Sequence, residues 1–150
     1  MIDKYNFMNN PEAWYEQANL ENLRGWFGQT RLCPACGRMH KLQTRMLEKG
    51  RNMALHIGPF LSSLGFRGRC LVVMDENTEK AAGQALMQGL SAFNPEAVVF
   101  RKPELHANEE ALGTVLAALH DKPDFLVSCG SGTLTDITRY NSYKIGRAHV

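Results

Sequence analysis

Residues 124 to 136 read Asp124-Phe-Leu-Val-Ser-Cys-Gly-Ser-Gly-Thr-Leu-Thr-Asp136, and this segment carries the clearest structural pattern of the chain. The apolar run 125–129 predicts a buried strand, and the residues from Gly132 onward predict a helix. Gly130 and Gly132 can adopt backbone conformations closed to other residues, and helix-opening amides favour anions. The stretch therefore predicts a phosphate cradle. The usual dinucleotide fingerprint has a third glycine where this chain has Thr135, so a turn that only packs tightly stays an alternative.

Two further apolar runs, at residues 70–74 and 97–100, alternate with helical segments. The predicted helices cover residues 53–64, 78–93, 108–120 and 132–143. A helix over residues 11–28, with Asn10 as its N-cap, and a strand over residues 41–48 precede them. Strands that alternate with helices predict a parallel sheet with right-handed crossovers. We therefore expect an α/β fold, a Rossmann-like parallel sheet with flanking helices.

Length and charge limit the class of protein. The chain has 150 residues, of which 44% are hydrophobic, and its 17 Lys and Arg residues against 15 Asp and Glu residues give a net charge of +2. Such a chain supports one hydrophobic core, and its near-neutral charge argues against nucleic-acid binding by a basic surface. No apolar run reaches the ~18 residues of a membrane span, and the N-terminus has no signal core. We expect a cytoplasmic protein with neither a nucleic-acid nor a membrane partner.

A second candidate site lies at Asp75, where the apolar run 70–74 ends in acidic residues. In open α/β sheets, ligands bind at the carboxyl ends of the strands, so Asp75 is expected at the same edge as Gly130. A carboxylate there can bind the two hydroxyls of a ribose. The alternative is that Asp75 or Asn77 only caps the following helix.

The cysteines give a third candidate. Cys33-Pro-Ala-Cys36 has the spacing of a zinc knuckle, and His40 supplies a third potential ligand. Structural zinc takes four ligands, and Cys70 and Cys129 lie singly in predicted strands, so zinc is an alternative interpretation of this loop. Cys129 is expected to be a buried strand cysteine rather than a reactive thiol.

Several separate segments resemble one family. They are Cys36-Gly-Arg-Met-His40, Asp75-Glu-Asn-Thr78 with Ala81-Ala-Gly83, and Gly130-Ser-Gly-Thr-Leu134 with Asp136-Ile and Arg139-Tyr140. These segments are similar to those of bacterial sn-glycerol-1-phosphate dehydrogenases, a branch of the iron-containing alcohol dehydrogenase and dehydroquinate synthase superfamily. The resemblance extends over roughly residues 33–144.

The resemblance implies a dehydroquinate synthase-like N-terminal domain, with the helical C-terminal domain absent from this chain. It implies interconversion of dihydroxyacetone phosphate and sn-glycerol 1-phosphate with NAD or NADP. Asp75 would bind the adenosine ribose, which favours NAD because a carboxylate repels a 2′-phosphate. The pyrophosphate would lie at Gly130, Ser131, Gly132, Thr133 and Leu134. Asp136 is expected to cap the following helix.

The resemblance also implies a divalent metal (Ni, Zn or Fe) in the intact parent protein, held by one Asp and two His residues of the C-terminal domain. The histidines of this chain do not lie at the positions of the family's metal ligands; they are His40, His56, His106, His120 and His149. We therefore assign no catalytic residue to this chain and expect it to be inactive by itself. The intact parent is expected to act on a small phosphorylated substrate and to be a homo-oligomer.

Other functions stay open at this point. One is a relative of glycerol dehydrogenase or 3-dehydroquinate synthase, which belong to the same superfamily. Another is a nucleotide-binding or zinc-binding module without catalysis.

The predicted organisation has three parts: an N-terminal helical extension over residues 1–30, an incomplete NAD(P)-binding domain over 31–144, and a tail over 145–150. The tail, Ile145-Gly-Arg-Ala-His-Val150, is the translation of ATC GGA AGA GCA CAC GTC. Those letters match a widely used short-read sequencing adapter, and the next triplet would be a stop codon. We expect this tail to be non-native.

Overall fold

The computed structural model describes residues 24, 25, 27–33, 36–41 and 43–150. The chain divides into two compact units, Met1–Gly50 and Arg51–Val150. The predicted boundary between residues 30 and 31 falls inside the first unit, and the predicted domain limits stay a prediction. The helix predicted over residues 11–28 lies largely outside the described residues.

The described part of the first unit contains a β-hairpin. Strand β1, Thr30–Leu32, pairs antiparallel with strand β2, Met39–Lys41. The prediction of a strand over residues 41–48 is wrong, because residues 43–50 form neither helix nor strand. The pairing ends at Lys41 because its partner, Thr30, is the first residue of β1.

The second unit contains a four-stranded parallel sheet; the sequence predicts the parallel arrangement and three of these strands, and the fourth lies in the predicted tail over residues 145–150. Its strands are β3 (Cys70–Asp75), β4 (Glu96–Phe100), β5 (Phe125–Cys129) and β6 (Ala148–His149), in the order β4-β3-β5-β6. Residues 70–74 of β3 are all buried. Because both faces of this strand are buried, the side chains that point to either face are apolar, and the sequence of β3 is an unbroken apolar run.

Four helices accompany the sheet. They are α1 (Met53–Ser63), α2 (residues 76–89), α3 (Glu109–Ala117) and α4 (Gly132–Lys144), with short 3₁₀ turns at Ser91–Phe93 and Ala118–Asp121. Helix α2 differs from its prediction. It begins with an α-helical turn, Glu76–Thr78, continues through a π-helical turn, Glu79–Gly83, and ends as α-helix, Gln84–Gly89.

Successive residues of β3 and β5 bury their side chains on opposite faces of the sheet. On one face, Val72 and Met74 pack with Leu61 of α1 and Leu86 of α2. On the other face, the core includes Val73 of β3, Leu126 of β5, Val115 of α3, and Leu134 and Ile137 of α4. Both faces of the sheet are thus covered by helices, as in doubly wound α/β folds.

Helices α1 and α2 touch through two glycines. A Cβ atom at Gly58 would collide with the carbonyl oxygen of Gly89, and one at Gly89 would lie 2.7 Å from the carbonyl oxygen of Leu55. The two backbones therefore approach more closely than any larger side chain permits. None of the described helices is long and apolar enough to span a membrane.

Candidate functional site

The strand order gives the sheet a topological switch point at one edge, and we call the region around it the crevice. From β3 the chain crosses to β4 on one side, and it then returns past β3 to place β5 on the other side. The helices that follow β3 and β5, α2 and α4, pack on opposite faces of the sheet, and such a switch point is where open α/β sheets bind ligands. Met74 and Cys129 are paired in register. Asp75 and Gly130, which follow them, thus flank the crevice at its carboxyl edge.

Asp75 is the N-cap of α2. Its carboxylate Oδ1 accepts hydrogen bonds from the Thr78 backbone amide (2.8 Å) and the Thr78 hydroxyl (3.0 Å). The Thr78 hydroxyl also lies 3.0 Å from the Asp75 amide, which completes a capping box. The capping interpretation of Asp75 is thus confirmed, whereas Asn77 lies within the helix. Sequence analysis missed Thr78, although its position three residues after Asp75 is the signal of this motif.

Gly130 packs against that cap. Its φ angle is +145°, and an added Cβ would collide with Leu134 Cδ1 and lie 2.9 Å from Thr78 Cγ2. Only glycine fits this turn, because the backbone conformation and the space both exclude a side chain. The tight contact brings the glycine turn and the Asp75 cap together into one structure.

Gly132 differs from its prediction. Its φ angle is not positive, so the expectation of a special backbone conformation there is wrong. It is the first residue of α4, where ordinary helical geometry already applies. An added Cβ at Gly132 would meet no atom within 4 Å, so this glycine leaves open space before the helix.

The N-terminus of α4 carries no side-chain cap. Ser131 is the N-cap residue, but its side chain makes no capping hydrogen bond, and the first turn holds no acidic residue. The first helical hydrogen bond joins the Thr135 amide to the Ser131 carbonyl at 3.1 Å. The amides of residues 132–134 precede it, and in an α-helix such amides have no intrahelical acceptor. Their positive field suits an anion.

Two predicted site residues take other positions. Asp136 is not a cap, because Ser131 occupies that position and Asp136 lies exposed in the second turn of α4. Leu134 is fully buried in the core, so its side chain contributes packing and its backbone amide is the group left for a ligand.

Cys129 lies beside this edge with its thiol half-buried. Burial raises the pKa of the Cys129 thiol, and the negative charge of Asp75 raises it further. Burial alone raises the pKa of Cys70 to about 11. The prediction that Cys129 lies in a strand is confirmed, but the residue is half-buried rather than buried, and its raised pKa disfavours the reactive thiolate.

Metal-ligating side chains come together at one place in the described part of the chain. Cys33, Cys36 and His40 have ligand atoms that all lie within 4.8 Å of one another. This group belongs to the hairpin of the first unit.

A cavity of about 430 Å³ lies at the amino edge of the parallel sheet, against Leu119, Pro123 and Ile145. It therefore lies on the side of the sheet opposite the crevice.

Comparison with known proteins identifies the family. Residues 48–150, which include the whole sheet and all four helices, match the sequence profile of iron-containing alcohol dehydrogenases. The chain belongs to the iron-containing alcohol dehydrogenase family.

Two curated proteins are similar to this chain in sequence. The glycerol-1-phosphate dehydrogenase [NAD(P)+] of Halalkalibacterium halodurans is 29% identical over 121 residues, which are 77% of this chain and 30% of that protein. The enzyme of the same name from Bacillus velezensis is 35% identical over 81 residues, which are 51% of this chain and 21% of that protein. The chain thus spans less than a third of the length of these relatives.

A solved structure has the same fold. Maleylacetate reductase from Agrobacterium tumefaciens superposes with a TM-score of 0.54 at 21% identity, over 67% of this chain and 28% of that one. At this identity the likeness concerns the fold alone. It confirms the expected α/β fold of a parallel sheet with flanking helices, which matches the N-terminal domain of iron-containing alcohol dehydrogenases.

Proposed function

We propose that this chain is the nucleotide-binding part of an NAD(P)-dependent oxidoreductase that interconverts dihydroxyacetone phosphate and sn-glycerol 1-phosphate. The observation that carries the proposal is the switch-point crevice, where Asp75 and the turn at Gly130 come from neighbouring strands. The similarity to two glycerol-1-phosphate dehydrogenases supports the choice of reaction.

The residues at the crevice fit a dinucleotide. The amides of residues 132–134 face outward from the start of α4 without a side-chain cap, and Gly132 leaves room for a pyrophosphate there. Ser131 and Thr133 add hydroxyl groups at the same helix end. The cap at Asp75 uses Oδ1, which leaves Oδ2 for a ribose hydroxyl.

The charge of Asp75 favours NAD over NADP. A carboxylate accepts hydrogen bonds from the free 2′-hydroxyl of NAD and repels the 2′-phosphate of NADP. When bound, the nicotinamide cofactor supplies or takes up the hydride of the reaction. The residues of this chain bind the cofactor and orient it. The substrate and the divalent metal of the parent protein are expected to bind to a part of the parent outside this chain.

Replacement of Asp75 by Asn separates cofactor binding from helix capping. Asn caps helices as well as Asp does, so the free energy of unfolding should stay the same. NADH affinity, measured by fluorescence titration of the purified chain, should fall about tenfold or more, since a hydrogen bond to a charged group contributes ~1.5–3 kcal/mol. NADPH should lose less affinity than NADH. Unchanged NADH affinity would mean that Asp75 is only a cap.

The position of the pyrophosphate can be tested with a matched pair of glycines. Gly132 and Gly113 both lie in helices, and an added Cβ at either would meet no atom within 4 Å. Gly132→Val should weaken NADH binding because the side chain fills the space before α4, whereas Gly113→Val should leave binding unchanged. Equal affinities in the two variants would contradict the assigned position.

The proposed substrate can be tested with the longest protein that the gene encodes. NADH oxidation should proceed with dihydroxyacetone phosphate and be much slower with dihydroxyacetone, which lacks the phosphate. A preference for unphosphorylated dihydroxyacetone would favour a glycerol dehydrogenase instead.

A further inference from the structure

We propose that the β1–β2 hairpin binds a zinc ion through the thiolates of Cys33 and Cys36 and the imidazole of His40. This site is separate from the proposed cofactor crevice and requires nothing of it. The three ligand atoms lie within 4.8 Å of one another, and Cys36 Sγ is 3.0 Å from His40 Nε2. Tetrahedral zinc with Zn–S of about 2.3 Å and Zn–N of about 2.0 Å separates its ligands by about 3.5–3.8 Å, so small side-chain shifts suffice.

The backbone of the hairpin places these ligands. The Gly37 amide donates to the Cys33 carbonyl at 2.9 Å, and the Cys33 amide donates to the Arg38 carbonyl at 2.8 Å. Gly37 has a φ angle of +66°, which lets the chain turn directly after the second cysteine. The turn returns the chain into β2, and His40 at the centre of that strand comes back beside Cys36.

The exposure of the hairpin is an independent reason to expect a metal ion. Both strands are three residues long, β2 is exposed along its whole length, and Leu32 and Met39 are 51% and 61% exposed. Among the described residues, every buried hydrophobic side chain lies at Leu61 or later in the chain. A two-stranded hairpin is only marginally stable in water by itself. A metal ion that binds the folded form stabilises the hairpin.

The ligand set favours zinc. Two thiolates and one imidazole suit a borderline-soft cation, and carboxylate-preferring ions such as magnesium and calcium are disfavoured. Cys36 and His40 are exposed and Cys33 is half-buried, so the fourth position is open to a water molecule. Such a site differs from the four-ligand structural zinc sites of proteins, and its ion ties the two strands together at the turn.

The test uses the purified full chain, reduced and stripped of metal. Addition of Co²⁺ should produce thiolate-to-cobalt charge transfer and the intense visible bands of a tetrahedral site at one equivalent, and Zn²⁺ should abolish these bands. Zn²⁺ should also protect the hairpin from trypsin cleavage after Arg38 and Lys41. Cys33→Ser, Cys36→Ser and His40→Asn should each weaken zinc binding at least about tenfold. The control Cys129→Ala should bind zinc as the wild type does.

Two results would overturn the proposal. One is zinc binding of equal strength in the double variant with Cys33→Ser and Cys36→Ser. The other is a reduced chain that binds no Co²⁺ or Zn²⁺ at one equivalent. NADH affinity of the same variants is measured in a separate titration. It should equal that of the wild type if the crevice is the cofactor site. Failure of zinc binding and failure of the proposed function are therefore distinguishable.

Discussion

Asp75 shows how one carboxylate can serve both the fold and a ligand. Its Oδ1 atom fixes the start of α2 through Thr78, and the same hydrogen bonds hold Oδ2 in a set orientation at the crevice. A side chain already ordered by the fold loses little further freedom when a ligand arrives. Helix capping and ribose binding are thus compatible roles for Asp75, although they stand as alternatives when the sequence is considered alone.

The charge of Asp75 should be measurable at Cys129. Because the carboxylate raises the pKa of the Cys129 thiol, Asp75→Asn should lower that pKa and increase the rate of Cys129 alkylation by iodoacetamide at constant, mildly alkaline pH. Peptide mass spectrometry separates Cys129 from the other cysteines. Glu76→Gln removes an exposed charge one residue away and should change the rate little. Identical Cys129 rates in wild type and Asp75→Asn would refute this proximity.

Gly130 should be needed for stability as well as for any ligand. Gly130→Ala should lower the free energy of unfolding by about 1–3 kcal/mol, because its φ of +145° is strained for alanine and the Cβ collides with Leu134. Gly132→Ala, with open space and ordinary geometry, should change it by less than about 0.5 kcal/mol. Urea denaturation measures both. A Gly130→Ala protein as stable as wild type would show that the turn relaxes freely.

At the scale of elements, the contact between α1 and α2 depends on glycine. Gly89→Ala should destabilise the protein by about 1–3 kcal/mol, because the new methyl group meets backbone carbonyls of α1 that cannot rotate away. Gly113→Ala, in the exposed middle of α3 with nothing within 4 Å, should stabilise it by about 0.5–1 kcal/mol. Thermal unfolding of the two variants should shift in opposite directions, and shifts of the same sign would contradict this packing.

The sequence predicted those elements whose patterns are local. The apolar run 125–129 followed by Gly130 predicted β5, the turn and α4, because burial and helix initiation each leave a signal within a few residues. The hairpin was missed, since strands of only three residues are too short to show an apolar pattern. The Gly58–Gly89 contact was also missed, because two glycines on different helices are related only by packing. The helix cap was predicted at Asp136 rather than at Ser131, because both residue types occur as N-caps.

At the scale of the whole molecule, the described core lies entirely in the second unit. Every buried hydrophobic residue described is at Leu61 or beyond, and the family profile begins at residue 48. We therefore expect a chain of residues 48–150 to unfold cooperatively at the same urea concentration as the full chain and to bind NADH equally well. Loss of cooperative unfolding in the shorter chain would show that the first unit contributes to the core.

We propose that residues 145–150 are not encoded by the gene of this protein. In the structure the Val150 amide donates to the Leu126 carbonyl at 2.8 Å, and the Ser128 amide donates to the Val150 carbonyl at 2.7 Å. The open edge of β5 offers backbone groups that can pair with many sequences. Both a native tail and an adapter-derived tail could therefore form this pairing. Genomic DNA should read differently from the adapter after codon 144. A genomic sequence that encodes these six residues would overturn the proposal.

The central position of β3 has a consequence for synthesis of the chain on the ribosome. β3 is made before both of its neighbours, and its apolar residues 70–74 have no paired strand until β4 and then β5 have emerged. During that interval the nascent chain exposes an aggregation-prone segment. Translation pauses that leave β5 inside the exit tunnel should therefore increase chaperone association with the nascent chain.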